Sequence, residues 1–324
     1  IGSTVDPTNG DQNPYGLIYV STKPFGGGVI QKGDLVICNF NDKANVQGNG
    51  TTMEYMKSVA GSKPTRLLQN AKLKGCASLV INGFGQMYAA NSGAKNVLGV
   101  SAKAKIFQTL TNKAMVEPWG SGYATGFGYP PGDAIFVSDA SNGKIFRINL
   151  GTSNGQPTYT AVISGFDVNG GAPGSILGPS GVQYNQKADI LYVVDGVDNT
   201  VVAFKHAYNT LNAANSVVVQ PGGKTFKGPQ AKNAALIYAG SPLKGPVSSA
   251  LLPNGNLVIG NTLNPNGTNL MVEIASNGKL LATKNVDKGA AGALFGIVAI
   301  GSSDATTKIF FNDDNKNNVQ VLSE

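Results

Sequence analysis

The chain has 324 residues, of which only 13% are charged, and 25 Lys and Arg against 18 Asp and Glu leave a net charge of +7. No apolar run approaches the roughly 18 residues of a membrane span, and the scattered lysines match no nucleic-acid-binding motif, so neither a spanning helix nor nucleic-acid recognition is predicted. The positive charge favours weak attraction to anionic polymers or membranes. Short apolar stretches and 43 Gly indicate a mostly β chain with many turns.

A short apolar strand that ends in Asp or Asn recurs six times along the chain. The polar residue at its end, called the anchor below, is Asn39, Asn91, Asp139, Asp195, Asn261 and Asp313. The anchors are 48 to 66 residues apart, a spacing typical of a tandem-repeat fold. A second apolar strand follows most anchors and predicts a hairpin, which the Pro- and Gly-containing segment Asn261–Leu270 delays in the fifth repeat.

Two further strands complete each repeat. A short run of small residues, often beginning with Pro, precedes an apolar strand upstream of each hairpin. Pro lacks a backbone N–H, which is tolerated at the first residue of a strand. A closing strand is predicted at 66–68, 106–110, 158–163, 216–219 and 280–286. Four antiparallel strands per repeat predict an all-β, six-bladed β-propeller that occupies residues 1–324 as one domain. The predicted blades are 14–70, 75–112, 118–164, 179–220, 246–286 and 294–322.

The sixth repeat ends after three strands, while residues 1–5 precede the first repeat. We expect this N-terminal segment to supply the fourth strand of the last blade and to close the ring. Closure of this kind removes an exposed sheet edge that would otherwise favour aggregation.

The combination of Pro-x-Gly, an apolar strand ending in Asp or Asn, and the following hairpin resembles NHL-repeat six-bladed β-propellers over nearly the whole chain. The first repeat, Gly33–Met53, resembles that of bacterial exported NHL-repeat proteins of unassigned activity. A start at Ile1 without Met is typical of a processed, secreted or periplasmic chain, although a boundary chosen for expression would look the same.

The resemblance implies that one face of the ring carries both the starts of the innermost strands and the hairpin turns. Equivalent positions around this channel opening, the mouth, hold Tyr15, Ala77, Trp119, Ser180, Val247 and Phe295. The aromatic residues Tyr15, Trp119 and Phe295 are predicted to stack on a flat ligand such as a sugar ring or a peptide aromatic. The alternative is that they plug the channel by packing.

The segment Glu117–Asp133 is rich in aromatic residues and Gly. Tyr123 and Tyr129 are predicted to contact a ligand from this segment, since Gly lets the backbone present them on a tight loop. Packing between neighbouring blades is the alternative.

Glu117-Pro118-Trp119 resembles, with a spacing that differs by two residues, the Glu-Gly-Pro-x-Trp sequence of gluconolactonase-like propellers. The resemblance implies Glu117 as a ligand of a divalent cation such as calcium, together with Asn and Asp oxygens. The anchors supply such oxygens, although bonding to the adjacent turn is their usual role. Asp6–Asp11 and Asn312–Asn318 resemble calcium loops without the terminal Glu, so ordinary polar turns are the alternative and no other cofactor is predicted.

Cys38 and Cys76 lie in neighbouring blades and are candidates for a disulfide in an oxidising compartment. The only histidine, His206, follows a strand at the end away from the mouth, so a Ser-His-Asp arrangement there is not supported. The sequence therefore predicts an exported, non-enzymatic binding module for a glycan, peptide or protein, with its contact surface at the mouth. The alternatives are a metal-dependent lactonase or hydrolase that uses Glu117, and a structural assembly protein.

Overall fold

The chain folds as a six-bladed β-propeller in a computed structural model that describes residues 1–126, 132–151, 155–171, 175–263 and 269–323. The innermost strands of successive blades contact one another, and the innermost strand of the last blade contacts that of the first, so the blades form a closed ring. None of the described helices is long and apolar enough to cross a membrane.

Within each blade the strands follow one another from the axis outwards. Blade one contains β2 (Gln12–Tyr19), β3 (Asp34–Asn41), β4 (Thr52–Lys57) and β5 (Thr65–Gln69). Blade two contains β6 (Cys76–Ile81), β7 (Met87–Asn91), β8 (Asn96–Val100) and β9 (Ile106–Thr111). Blade three contains β10 (Pro118–Ala124), β11 (Ala134–Asp139), β12 (Lys144–Asn149), β13 (Thr158–Ser164), β17 (Val217–Val219) and β18 (Phe226–Lys227).

Blade four contains β14 (Pro179–Asn185), β15 (Ile190–Asp195), β16 (Thr200–Lys205) and β19 (Ala234–Ala239). Blade five contains β20 (Pro246–Leu251), β21 (Leu257–Asn261), β22 (Asn269–Ile274) and β23 (Leu280–Asp287). Blade six contains β24 (Ile297–Ile300), β25 (Lys308–Asp313), β26 (Asn318–Ser323) and β1 (Gly2–Ser3). The short helix α1 (Ala207–Thr210) and four single 3-10 turns, 92–94, 231–233, 304–306 and 314–316, lie in connections between strands.

The predicted ring closure is confirmed by the pairing of β1 with β26, in which Gly2 lies opposite Val319. The N-terminal ammonium of Ile1 donates to the carbonyl of Val319 over 2.8 Å, and the N–H of Thr4 donates to the carbonyl of Asn317 over 2.8 Å. The two ends of the chain therefore share one sheet.

The prediction that residues 216–219 form the fourth strand of blade four was wrong. Val217 and Val218 pair in parallel with the edge of blade three, opposite Ile163 and Ser164, and the strand beside β16 is instead β19. Both segments are short and apolar, so the local pattern cannot tell them apart. Val217 is buried in the core between blades three and four, which places the segment at the edge of blade three.

The hydrophobic core lies between the blades, because alternate residues of each strand face the two neighbouring sheets. Six apolar clusters fill the six spaces between blades, and a seventh lies on the axis. The innermost strands approach one another so closely that small residues are required: a Cβ on Gly120 would lie 1.8 Å from the carbonyl oxygen of Ser180. This contact explains the small residues that follow Pro in the repeating run.

Candidate functional site

The aromatic residues predicted at the mouth pack against one another on the axis. The rings of Tyr15 and Phe295 are stacked with centroids 3.6 Å apart, and Phe40 stacks on Tyr15 at 4.3 Å. Trp119 is tilted against both Tyr15 and Phe40, at 5.9 and 5.6 Å. Tyr15, Trp119 and Phe295 are only 1%, 3% and 8% exposed. We call Tyr15, Phe40, Trp119 and Phe295 the aromatic plug.

The plug leaves no ring face of Tyr15 free, because Phe40 and Phe295 both stack on it. Stacking of a ligand on Tyr15, Trp119 or Phe295 thus stays a prediction, and it would require these rings to separate. Phe40 was missed by sequence reasoning. The signal was present, since Phe40 is the only aromatic residue that directly follows an anchor.

Polar groups surround the hydroxyl end of Tyr15. Its hydroxyl donates to Oε1 of the exposed Gln47 over 3.4 Å. Burial, and secondarily the Asp314 carboxylate, raises the pKa of Tyr15. Asp314 itself accepts a bond from Asn13 Nδ2 over 3.3 Å, and burial next to Asp313 raises the pKa of Asp314 to about 8. Burial therefore disfavours the charged form of the carboxyl beside the plug.

Below the plug the channel is narrow. A cavity of about 60 Å³ lies directly against the plug and the innermost strands, which is room for a few water molecules and too little for a sugar ring. The hydroxyls of Ser78 and Ser121 meet across it at 2.8 Å, and Gln183 Nε2 donates to the carbonyl of Ser249 over 2.7 Å. A second cavity, of about 200 Å³, lies at the opposite end of the channel.

Tyr123 lines that second cavity, so the structure does not bring it together with Trp119. Its hydroxyl donates to Asp133 Oδ2 and lies 3.5 Å from Asn82 Nδ2. Burial, followed by the bond to Asp133, raises the pKa of Tyr123. A ligand contact by Tyr123 stays a prediction, and Tyr129 lies outside the described residues.

Glu117 lies between blades two and three at the start of β10. Its Oε1 accepts a bond from Ser92 over 2.6 Å, and its Oε2 accepts one from Ser141 over 3.4 Å. Within the described ranges, no group of three or more His, Cys, Asp or Glu side chains is placed to hold a metal ion. Metal binding by Glu117 stays a prediction, and both of its oxygens already have partners.

Several anchors bond to the chain segment that leads into their own blade. Asn91 Oδ1 accepts from the N–H of Lys74 over 2.6 Å, and Asn261 Oδ1 accepts from that of Lys244 over 3.0 Å. Asp139 accepts from the N–H groups of Val116 and Glu117. These oxygens stabilise the turn that connects the outer strand of one blade to the innermost strand of the next.

Cys38 of β3 and Cys76 of β6 form a disulfide with an S–S distance of 2.05 Å. It links the second strand of blade one to the innermost strand of blade two. Both residues are fully buried in the core between these blades.

An exposed aromatic pair lies on the face of the ring opposite the anchors, and sequence reasoning did not find it. Phe25, in the loop after β2, is 81% exposed, and Phe84, in the loop after β6, is 60% exposed. Their rings meet edge to face with centroids 6.2 Å apart. We call the three loops that form this surface, residues 20–33, 82–86 and 101–105, the Phe platform. Its signal was a Phe inside the polar, Gly-rich stretch Lys23–Gly28.

Backbone hydrogen bonds hold the Phe platform together across two blades. The N–H of Phe25 donates to the carbonyl of Phe84 over 3.1 Å, and that of Val29 donates to the carbonyl of Ala102 over 2.7 Å. A concavity of about 340 Å³ lies between the two Phe rings and Ala102. The aromatic pair is thus presented on a braced surface.

A groove of about 480 Å³ lies between blades five and six. Its two acidic side chains already have partners, since Asp304 accepts from Asn254 and Glu273 accepts from Asn256. The groove is lined by apolar side chains such as Leu252, Val258 and Ile309 together with polar ones such as Thr283 and Lys284.

No protein-family model matches the chain, and no curated protein matches it by sequence. Among solved structures, streptogramin B lyase is similar with a TM-score of 0.53 and 13% identity, over 99% of this chain and 86% of that one. A chain of a nidogen/laminin complex gives a TM-score of 0.59 and 14% identity, over 90% and 86%. A catalytically inactive histidine-to-alanine variant of virginiamycin B lyase from Staphylococcus aureus, with quinupristin, gives 0.55 and 16%, over 98% and 84%. At these identities the similarity shows the propeller fold alone.

Proposed function

We propose that this protein is an exported, non-enzymatic binding module that docks on an anionic lipid surface through the Phe platform. The observation that carries the proposal is the pair Phe25 and Phe84, two large aromatic side chains that are 81% and 60% exposed and lie together. A propeller fold suits a binding or interaction role. Exposed apolar groups that cluster on a soluble surface are typical of a contact site.

The charge around the aromatic pair supports an anionic surface. The three loops of the Phe platform contain four exposed lysines and no Asp or Glu; the lysines are Lys23, Lys32, Lys103 and Lys105. The nearest acid along the chain, Asp34, is fully buried and pairs with Lys57 over 2.6 Å. Exposed aromatic residues with lysines in the same loops match the headgroup region of an anionic bilayer, where rings enter the interface and ammonium groups contact phosphates.

The energies are large enough for reversible attachment. Burial of a Phe side chain contributes about 1.5–3 kcal/mol, and each lysine near an anionic membrane contributes about 1 kcal/mol. Two rings and four lysines together offset the cost of association that limits weak contacts. The backbone bonds from Phe25 and Val29 to blade two keep the loops ordered before docking, which lowers that cost further.

Export is supported by the buried disulfide between Cys38 and Cys76, because disulfides persist in oxidising compartments. An exported position would give the Phe platform access to the outer surface of a membrane. This part of the proposal is tested by locating the protein in fractionated cells of its source.

Sedimentation with lipid vesicles tests the docking proposal. The purified chain is mixed with vesicles of phosphatidylglycerol and phosphatidylcholine, or of phosphatidylcholine alone. We expect it to pellet with the anionic vesicles and to be released by salt, since screening shortens the reach of the lysine charges. Replacing Phe25→Ser and Phe84→Ser together should weaken binding about 100-fold, the equivalent of about 3 kcal/mol.

Phe107→Ser is the matched control. Phe107 is also an exposed aromatic residue, 43% exposed, but it lies on β9, the outermost strand of blade two. This variant should pellet like the wild type. A wild-type chain that stays in the supernatant with both kinds of vesicle would overturn the lipid proposal and favour a glycan, peptide or protein partner.

A further inference from the structure

The anchor of blade four, Asp195, is an aspartate with one buried carboxylate oxygen that has no partner among the described residues. Oδ1 of Asp195 accepts from the N–H of Val197 over 3.0 Å. Its Oδ2 is buried and has no hydrogen-bond partner among the described residues. No bond from the described part of the segment that leads into blade four satisfies it, in contrast to Asp139, whose two oxygens both accept from such a segment.

Two more unpartnered oxygens lie beside Asp195. Thr200 is fully buried and pairs with Asp195 across the hairpin, and its Oγ1 has no partner within the described ranges. Asp198, in the turn of the same hairpin, has a buried Oδ2 that is likewise unpartnered there. The carboxyl groups of Asp195 and Asp198 are near enough for a hydrogen bond when one of them is protonated.

The unpartnered oxygens of Thr200 and Asp198 both lie close to Gly223. A Cβ on Gly223 would lie 2.8 Å from Thr200 Oγ1 and 3.0 Å from Asp198 Oδ2. Gly223 lies in the turn between β17 and β18, so an element of blade three covers the hairpin turn of blade four. Since Gly223 has no side chain, its backbone can lie close to both oxygens.

The acidic side chains at this point outnumber the basic ones. Asp167 adds a third carboxylate nearby, and its Oδ2 accepts from the N–H of Gly222 over 3.2 Å. The charge of the exposed Lys224 lowers the pKa of Asp198, but among the described residues Lys224 makes no ion pair with Asp167, Asp195 or Asp198. Burial, helped by the neighbouring carboxylates, raises the pKa of Asp195 to about 7.

We propose that Asp195, Asp198 and the hydroxyl of Thr200 bind a calcium ion at the contact between blades three and four. Two carboxylates and a hydroxyl are hard oxygen donors, which Ca²⁺ takes together with backbone carbonyls and water. Asp167 is not counted as a ligand, because its Oδ2 already accepts a hydrogen bond from the backbone of Gly222. The site is separate from the predicted Glu117 site and from the segments Asp6–Asp11 and Asn312–Asn318.

The ion would have a structural consequence. The β17–β18 hairpin belongs to blade three, whereas Asp195, Asp198 and Thr200 belong to blade four. A cation under Gly222 and Gly223 would neutralise the carboxylates and hold the hairpin against blade four. Binding should therefore protect the amides of Val217–Val219 from hydrogen exchange.

Calorimetric titration of calcium chloride into the full chain, after treatment with a chelator, tests the proposal. We expect one Ca²⁺ per chain, a higher melting temperature with calcium, and slower exchange in Val217–Val219. Asp198→Asn keeps the side-chain shape and should weaken binding at least about tenfold, since it removes one of only two carboxylates. Thr200→Val should weaken it by a smaller factor.

Asp304→Asn is the matched control, because Asp304 lies in a loop of blade six and should not affect calcium binding. Asp195 is an anchor whose replacement risks misfolding, so the half-exposed Asp198 is the primary variant. A titration without heat or calcium-dependent stabilisation would overturn the proposal and leave a proton shared by Asp195 and Asp198. Binding that is equally tight in Asp198→Asn would also overturn it, because the ion would then lie elsewhere.

Discussion

The buried carboxyl of Glu54 should make the stability of the propeller depend on pH in a way that one substitution removes. Glu54 lies on β4 and is fully buried. Its Oε2 accepts from Asn39 Nδ2 over 2.9 Å, and its Oε1 has no partner among the described residues. Arg66 does not neutralise it, because both of its bonds go to Asp6, at 2.8 and 2.5 Å.

Burial, and to a smaller extent the carboxylates of Asp6 and Asp11, raises the pKa of Glu54 well above 4.5. The folded chain then keeps a proton that the unfolded chain releases above pH 4.5. The stability contributed by this proton is fully present below that pH and is lost as the pH rises towards the folded-state pKa. The loss is about 1.4 kcal/mol for each pH unit.

Glu54→Gln removes this dependence while it keeps the shape of the side chain. The free energy of unfolding of the variant, minus that of the wild type, should increase by about 1.4 kcal/mol for each pH unit above about pH 5.5, up to the folded-state pKa of Glu54. For a chain of this length, each such pH unit corresponds to a relative gain of about 2 °C in melting temperature. Asp195 and Asp314, whose pKa values are raised to about 7 and about 8, affect both proteins alike and cancel in the difference.

Urea unfolding followed by the fluorescence of Trp119, the only tryptophan, measures this difference at each pH. Glu273→Gln serves as the control, because Glu273 is only half-buried, on blade five. A difference between Glu54→Gln and wild type that stays constant within about 0.5 kcal/mol over this pH range would refute the reasoning.

Two further predictions concern the links between blades. Deletion of residues 1–11 removes β1 and the Asp6 carboxylate that pairs with Arg66, so the melting temperature should fall by about 4 °C or more, the equivalent of about 3 kcal/mol; an unchanged melting curve would contradict the closure. Replacing Cys38 and Cys76 together by Ser opens a loop with a sequence separation of 38 residues. That change should cost about 4 kcal/mol, or about 6 °C, in calorimetry, and a melt equal to that of the wild type would show that the disulfide adds no stability.

The sequence by itself determined the architecture of the protein. Six apolar strands that end at Asn39, Asn91, Asp139, Asp195, Asn261 and Asp313 give the number of blades. The three strands of the last repeat, together with the spare segment at residues 1–5, give the closure. These features are local: strand length, the period of two along a strand and turn residues are all read from neighbouring positions. Because the same pattern occurs in each repeat, the number of blades is predicted more reliably than the position of any single strand.

Only the tertiary structure decided which edges and side chains meet. The segment Val217–Val219 is an apolar strand in either blade, and its place beside β13 depends on the core between blades three and four. Tyr15 and Phe295 are 280 residues apart in the chain yet stack on each other. Such contacts depend on ring closure and on packing against distant blades, so they cannot be predicted from a local sequence pattern.

The sites that the structure favours differ from those predicted from the sequence, because they too depend on contacts between distant parts of the chain. Phe25 and Phe84 come from different blades and look like ordinary loop residues until their loops bond to each other. Asp195 looks like the other aspartate anchors in the sequence, and only the fold brings Gly223 of blade three against Thr200 and Asp198 of the same hairpin. The repeat therefore fixes where strands run, because that depends on neighbouring residues, whereas the sites arise where non-repeating loops from separate blades come into contact.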